Sequence, residues 1–345
     1  MKMPKLSYKP KTITKKILSP LQDRAFDVIV NRYGLGSDIE RKTLEEIGQK
    51  YGITRERVRQ IENTALGIVR KSQEYKSEEA TFTELKKVIK EMGSMIVEED
   101  LLKELAKDKE TQNHIHLHLV LGDSFVKHKE DELFRSRWTI DQKLSDIIHS
   151  SLENLYKGLS DEELVSENEV ISRFLDHLKD VSEEYKNEEL ARRWLSMSKK
   201  ISRNPLGEWG KIDSSNVRTR GIRDYAYLVM RKHGSPMHFK EVADAIKELF
   251  DKSAHVATTH NELIKDPRFV LVGRGLYALS EWGYMSGVVK DVIRKVLEKN
   301  GPLTKKEVID KVMKERYVKE NTILVNLQNP KFFKKDKEGR YSFVG

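Results

Sequence analysis

Two closely spaced helix starts with a glycine between them constrain the fold of residues 43–62 more than any other feature of the chain. Thr43 followed by Glu46 has the pattern of a capping box, which begins a helix. Gly52 can adopt positive φ without steric cost and therefore suits a turn. Thr54 then supplies the N-cap of a second helix. Together these signals predict a helix-turn-helix.

The second predicted helix places its charges on one face. At about 100° per residue, this face contains Arg55, Glu56, Arg59 and Gln60, with Arg57 at its border. The opposite face is apolar and contains Val58, Ile61 and Ala65. Arginine suits guanine edges, glutamine suits adenine and glutamate accepts from cytosine, so the charged face suits base readout in a major groove. The alternative is an ordinary helix with a solvated charged face.

Residues 16–72 closely resemble region four of the sigma-70 family of bacterial sigma factors. The strings TRERVRQIE (54–62) and LSPLQDRAFDVIVNRYGLG (18–36) carry the resemblance. It implies a unit that reads the minus-thirty-five promoter element in double-stranded DNA and contacts the flap of the RNA polymerase β subunit. The implied base readers are Arg55, Glu56 and Gln60. The implied backbone contacts are Arg57 and Arg59 on phosphates, with Thr43 and Leu44 fixing the first helix.

Residues 1–15 precede this unit and are rich in lysine. They lack the large aromatic domain with which a housekeeping sigma factor melts promoters, so the resemblance implies a DNA reader without a melting domain. The six lysines of this region are Lys2, Lys5, Lys9, Lys11, Lys15 and Lys16. We expect either a flexible basic arm on the DNA backbone or a solubilising terminus.

The C-terminal third contains an internal repeat. The segments beginning GSPMHFKEVADAI and GPLTKKEVIDKVM place Gly234 and Gly301 at equivalent positions, 67 residues apart. Each copy continues with a second helix, an Asp-Pro or Asn-Pro pair and two strands around a glycine. A repeat of this length indicates tandem small domains. Three helices and a two-stranded wing form a winged helix.

Residues 218–283 resemble the HARE-HTH family of winged helices. RGIRDYAYLVMRKHGSPMHFKEVADAI (220–246) and RFVLVGRGLYALSEWG (268–283) carry this resemblance. The family occurs in the δ subunit of some bacterial RNA polymerases, in chromatin proteins and beside restriction endonucleases. The resemblance implies a module linked to nucleic acid or polymerase rather than a sequence-specific reader.

The middle of the chain is predicted to hold two more distant winged-helix-like units. Helices are expected over 81–93, 98–105, 141–158, 166–178 and 187–200, with hairpins over 125–140 and around 205–212. The predicted fold is therefore mainly α, a helix-turn-helix followed by tandem winged-helix-like units. Its expected segments are 1–15, 16–76, 77–140, 141–216, 217–284 and 285–345.

Charge divides the chain into three blocks. Residues 1–76 carry a net charge of +8, residues 77–214 of −9 and residues 215–345 of +10. Clustered Lys and Arg bind phosphates through counterion release, so we expect the two ends to grip DNA. The acidic middle suits a protein partner such as RNA polymerase. The chain has no cysteine and no apolar run long enough to span a membrane, which fits a bacterial cytoplasmic, nucleoid-associated protein.

Little in the sequence indicates chemistry. NHIHLHL (113–119) places His114, His116 and His118 on one side of a predicted strand, which suggests either a metal site or solvated histidines opposite a buried apolar side. We favour the second interpretation and expect no metal, cofactor or catalytic residue. Arg274 lies between two glycines and is expected either to contact a groove or phosphate from a wing turn or to occupy a plain turn.

The sequence therefore predicts a non-catalytic, DNA-binding transcription regulator or polymerase-associated factor. In this hypothesis Arg55, Glu56, Arg59 and Gln60 enter the major groove, while Arg57 and the lysine arm hold phosphates. Three alternatives remain: an accessory polymerase subunit that binds mainly protein, the DNA-recognition module of a restriction or defence system, and an enzyme that uses the histidine cluster.

Overall fold

The computed structural model describes residues 6–178, 181–285 and 287–344 of the chain. The fold is mainly helical, with short antiparallel sheets. The chain forms two compact units that divide between Ser202 and Arg203. The division lies within segment 141–216, for which we predicted one divergent winged-helix unit.

The first unit begins with the predicted helix-turn-helix, extended by helices on both sides. Its helices are α1 (Pro10–Leu18), α2 (Asp23–Tyr33), α3 (Leu44–Tyr51), α4 (Arg55–Lys71) and α5 (Gln73–Lys76). Helices α2, α3 and α4 pack on one another around Val28, Ile47 and Val58, which are fully or almost fully buried. This small core fixes the direction in which α4 leaves the turn.

A winged helix follows directly. Its elements are α6 (Glu79–Glu91), β1 (Met95–Val97), α7 (Glu98–Leu105), α8 (Lys109–Leu121), β2 (Val126–His128) and β3 (Arg137–Thr139). The three strands are antiparallel in the order β1-β3-β2, with Trp138 of β3 opposite both Ile96 and Lys127. The strand predicted for residues 113–119 is wrong, because this segment lies in α8.

Three further helices complete the first unit. They are α9 (Gln142–Gly158), α10 (Glu167–His177) and α11 (Glu188–Leu195), and a short strand β4 (Ile201–Arg203) follows at the division between the units. Their N-caps are Asp141, Ser166 and Asn187, each of which accepts a backbone N–H of the first turn. The last helix ends at Leu195 rather than at residue 200, as predicted from the sequence.

The second unit contains the two copies of the repeat after strand β5 (Trp209–Lys211). The first copy contains α12 (Ile222–His233), β6 (Met237–His238), α13 (Phe239–Phe250), α14 (Val256–Lys265), β7 (Phe269–Gly273) and β8 (Leu276–Leu279). The second contains α15 (Val289–Asn300), β9 (Leu303–Thr304), α16 (Lys305–Glu315), α17 (Glu320–Leu327), β10 (Phe333–Lys335) and β11 (Arg340–Phe343).

The two copies have the same topology. In each, the last strand lies in the middle of a three-stranded antiparallel sheet. Gly234 and Gly301, which define the repeat, end α12 and α15 with φ of 75° and 78°. A side chain with a Cβ is strained in this conformation, which explains a glycine at both positions. The predicted winged-helix repeat is therefore present.

Candidate nucleic-acid interface

The start of α3 has the predicted capping box. The Thr43 hydroxyl accepts the backbone N–H of Glu46 at 3.2 Å, and the Glu46 carboxylate accepts the backbone N–H of Thr43 at 2.6 Å. Thr54 caps α4 by accepting the backbone N–H of Arg57 at 3.2 Å. Gly52 ends α3 with φ of 66°, as its position in the turn predicted. Both helices thus begin where the local sequence starts them.

A second glycine sets how closely α3 and α4 approach. Gly48 lies inside α3 and is buried. A Cβ at Gly48 would lie 2.6 Å from the carbonyl oxygen of Ile53, a distance that real Cβ atoms do not adopt. The same backbone regions are joined by a hydrogen bond from Ile53 N–H to Gly48 C=O at 3.0 Å. Our sequence interpretation missed Gly48, although a glycine one turn before a helix end is a visible signal for close backbone contact.

The first turns of α4 present polar side chains to solvent. We call these residues the recognition face; they are Arg55, Glu56, Arg57, Arg59 and Gln60, and all five are exposed. On the opposite side, Val58 and Ala65 are fully buried and Ile61 is half-buried. The predicted division of α4 into a polar and an apolar face is therefore confirmed.

Pairs within the helix organise the recognition face. Arg59 donates two hydrogen bonds to Glu56, from Nε at 2.8 Å and from Nη2 at 2.6 Å. These bonds lower the pKa of the Glu56 carboxyl, which is therefore ionised at neutral pH. Arg57 donates to the Gln60 carboxamide oxygen at 3.2 Å. Arg55 makes no hydrogen bond or ion pair in the part of the chain that the structure describes, so its guanidinium is the one already free for a ligand.

The remaining predicted contacts lie at the helix starts. Thr43 and Thr54 are exposed, and Leu44 is half-buried against the core formed by α2, α3 and α4. Both threonine hydroxyls accept cap hydrogen bonds, and that of Thr43 also donates to Glu46 at 2.7 Å. Their first role in the structure is to begin α3 and α4. An additional phosphate contact would use the donor of Thr54 or the exposed backbone beside it.

The lysine-rich N-terminal region differs from the predicted arm. Residues 10–15 belong to α1, whose Thr14, Ile17 and Leu18 are buried. Lys11 pairs with Glu110, and Lys16 pairs with Glu78. Apolar burial and these ion pairs hold α1 on the first unit, so residues 10–15 are not an extended arm. Lys9 and Lys15 are exposed, and Lys2 and Lys5 lie outside the described residues.

Helix α8 supports the helix-turn-helix from behind. Ile115 and Leu119 pack into the core of the winged helix, while Leu117 and Leu121 pack into a core with α1, α2 and α4. Each pair is spaced four residues apart, and residues two apart point about 200° away from each other on a helix. Two opposite apolar faces therefore produce the alternation that we interpreted as a strand.

The three histidines of α8 are buried. His118 Nε2 lies 3.0 Å from the hydroxyl of Thr14, and the His116 ring packs against Tyr33 and Trp138. Burial lowers the pKa of all three imidazoles, that of His118 to about 3. The expectation of solvated histidines is wrong, because α1 and α2 cover this part of α8. Among the described residues no group of three or more His, Asp or Glu is arranged to hold a metal ion.

Asn113 connects α8 to the helix-turn-helix by three hydrogen bonds. Its Nδ2 donates to the carbonyl oxygens of Gly34 at 2.9 Å and Ile39 at 2.7 Å, and its Oδ1 accepts from Arg41 Nε at 2.8 Å. Gly34 and Ile39 flank the loop between α2 and α3. Asn113 therefore fixes the loop that leads into the recognition elements.

In the second unit the conspicuous arginines differ in role. Arg268 pairs with Asp224 at 2.9 Å and Asp266 at 2.7 Å and lies over the Tyr227 ring, so it holds the fold together. Arg274 is exposed in the tight turn between β7 and β8. That position agrees with both interpretations of Arg274, a plain turn and a groove contact.

Comparison with known families identifies two segments. Residues 17–71 match the family model "Sigma-70, region 4", and residues 222–282 match the HARE-HTH model, described as a restriction endonuclease HTH domain that also occurs in ASXL proteins. Both resemblances inferred from the sequence are confirmed. Within the described ranges, no helix combines the length and apolar character needed to cross a membrane.

Curated relatives match the first of these segments. The chain is 57% identical over 51 residues to the RNA polymerase sigma factor SigA of Nostoc sp., covering 15% of this chain and 13% of the relative. It is 56% identical over 50 residues to SigA of Microcystis aeruginosa, covering 14% and 12%. It is 47% identical over 57 residues to RpoD of Helicobacter pylori, covering 16% and 8%. The chain thus spans a small fraction of each relative, all of it within the helix-turn-helix.

Proposed function

We propose that the protein is a DNA-binding transcription regulator that reads a promoter-type element through the recognition face of α4. The exposed, preorganised recognition face carries this proposal. Its side chains combine guanine-, adenine- and cytosine-directed chemistry within two helical turns. The likeness of residues 17–71 to sigma factors supports a promoter-type target.

The recognition face offers two modes of contact. Arg55, whose guanidinium is free, suits a bidentate contact to guanine. The Glu56–Arg59 pair presents a fixed acceptor beside a fixed cation, so a cytosine amino group and a neighbouring phosphate would be met together. Gln60 would exchange its bond to Arg57 for an adenine edge, releasing the Arg57 guanidinium toward a phosphate.

RNA polymerase is the proposed protein partner. The likeness to polymerase sigma factors and the net charge of −9 over residues 77–214 support it. One surface of the helix-turn-helix is unavailable to such a partner, because Ile17, Leu18 and Leu66 are buried in a core with Leu117 and Leu121 of α8. A polymerase contact would use another face of this module or the acidic helices α9 to α11.

Sequence selection and two substitutions test the DNA-reading proposal. Sequences bound by the full chain are selected from a random duplex pool, with and without polymerase. Against the selected site, Arg55→Ala and Gln60→Ala are each expected to reduce the preference over random DNA by about 1–3 kcal/mol, or roughly 5- to 150-fold. Arg57→Ala is expected to weaken both sequences alike.

Arg218→Ala is the matched control, since Arg218 is an exposed arginine of the second unit. It is expected to leave the preference unchanged. An Arg55→Ala protein with the full preference of the parent chain would contradict the assignment of α4 as the reader. Selection that succeeds only in the presence of polymerase would instead favour an accessory polymerase subunit.

A further inference from the structure

The hairpin of the last winged helix concentrates positive charge. We call residues 331–340 the lysine hairpin; it contains part of β10, the turn to β11 and the first residue of β11. Its cations are Lys331, Lys334, Lys335, Lys337 and Arg340, and all five are exposed. Phe333 is the last buried residue of β10, and every residue from Lys334 to Glu338 is exposed. The hairpin therefore projects beyond its own core into solvent.

Internal pairing leaves the lysines of this hairpin available. Arg340 pairs with Asp336, at 3.1 Å from Nε to Oδ2, and with Glu338. These two acidic groups are thus neutralised by one arginine. Lys331, Lys334 and Lys337 form no ion pair within the described ranges. Lys335 lies 5.9 Å from the centroid of the Tyr341 ring, which leaves its ammonium group open to solvent on the other side.

The third helix of the same winged helix is unsuited to hold phosphates. Helix α17 has the sequence ENTILVNL, without a lysine or arginine, and begins with Glu320. Its Val325 is 65% exposed. Duplex DNA would gain no counterion release from this surface, since that gain requires Lys or Arg at the phosphates. The cations of this repeat are instead placed on the strands.

The preceding winged helix lacks such a hairpin. Its turn between β7 and β8 is short and carries Arg274 as its single cation. The outer edge of β7 is also occupied, because Tyr317 N–H donates to the Val272 carbonyl at 2.8 Å. A Cβ at Gly273 would lie 2.8 Å from the Tyr317 carbonyl oxygen, so the two backbones are in direct contact. The two repeats therefore share a topology but not a charged hairpin.

From these observations we infer that the lysine hairpin binds the phosphate backbone of duplex DNA without sequence preference, as a second contact beside the recognition face. This inference deepens the proposed function, because it assigns the C-terminal DNA contact to one hairpin. Free ammonium groups without base-directed side chains position DNA and do not read it. Binding at a second place lengthens the time that the reader spends near its site.

The test uses the full chain, fluorescence anisotropy and a duplex of random sequence over a range of salt concentrations. The variant Lys334→Ala/Lys335→Ala/Lys337→Ala is expected to weaken binding on the order of tenfold to a hundredfold near physiological salt. The slope of log K against log salt is expected to fall by about 1 for each lost phosphate contact. Thermal unfolding should be nearly unchanged, since the three side chains are exposed.

The matched control is Lys247→Ala/Lys299→Ala/Lys314→Ala, which removes the same charge from exposed positions on α13, α15 and α16. Equal losses in the two triple variants would overturn the inference, since net charge alone would then explain the effect. Loss of single-stranded RNA binding with intact duplex binding would overturn it as well. Arg55→Ala, measured in parallel, separates the two proposals: it should lose sequence preference and keep most of the random-duplex affinity.

Discussion

Helices α4 and α8 occupy the same position, the third helix of a three-helix unit, yet they face different surroundings. The first two turns of α4 present five polar side chains to solvent. In α8, every residue from Asn113 to Leu119 is buried. One third helix is free to meet a ligand, and the other is enclosed between two hydrophobic cores.

This difference shows that topology alone does not assign a nucleic-acid surface. The first winged helix has the complete order of helices and strands, but α1 and α2 cover its third helix. Its structural role is to hold the helix-turn-helix from behind through Leu117, Leu121 and Asn113. A position that could read DNA in an isolated domain is used here to fix a neighbouring reader.

Truncating the same kind of side chain in both helices should give the largest contrast. Leu117→Ala removes a fully buried side chain between α8 and the helix-turn-helix, so we expect a loss of about 2–5 kcal/mol in the free energy of unfolding. Ile68→Ala removes a side chain of α4 that is 44% exposed, so the loss should stay below about 1 kcal/mol. Chemical denaturation followed by circular dichroism measures both. Similar losses in the two variants would show that α8 is not buried as described.

The ease of prediction differed between these helices for a physical reason. In α4, the N-cap, the turn glycine and one apolar face are signals within a few residues of each other, and all of them were visible in the sequence. In α8, two apolar faces belong to two different cores, so Ile115 and Leu117 produce an alternation of period two. Only the long-range packing of α1 and α2 distinguishes this helix from a strand.

Other misses also depend on distant parts of the chain. Lys11 and Lys16 were expected to be in a DNA-binding arm, and their partners Glu110 and Glu78 lie far along the sequence. Gly48 was missed because its contact, the Ile53 carbonyl, depends on the crossing of α3 and α4. The repeat was easier, since Gly234 and Gly301 end helices through their own backbone conformation. The roles of the recognition-face residues remain predictions, since they concern a ligand.

An asparagine pair sharpens the comparison at a smaller scale. Asn113→Ala leaves the carbonyls of Gly34 and Ile39 and the Arg41 guanidinium without their partner, which should cost about 1–3 kcal/mol of unfolding free energy. Asn63→Ala changes an exposed position of α4 and should change stability by less than about 0.5 kcal/mol. Thermal and chemical unfolding of both variants provide the measurement. The buried hydrogen bonds would be contradicted by a neutral Asn113→Ala.

The smallest expected effect is a pH dependence that belongs to α8. Burial keeps His118 neutral in the folded protein by lowering its pKa to about 3, whereas an unfolded histidine titrates near pH ~6.5. As pH falls below about 6.5, the unfolded chain binds a proton that the folded chain does not, so stability present at higher pH is lost. Between about pH 7.5 and about pH 6 this loss is about 1 kcal/mol for one histidine.

His118→Gln should remove that part of the pH dependence, while His255→Gln, at an exposed position of the second unit, should leave it in place. Chemical denaturation at both pH values measures the change in unfolding free energy for each protein. The difference between the two pH values is the quantity that matters, because it cancels any uniform cost of replacing the imidazole beside Thr14. An unchanged difference in His118→Gln would mean that His118 takes up its proton in the folded protein as well, which would require solvent access to α8 that the closed packing of α1 excludes.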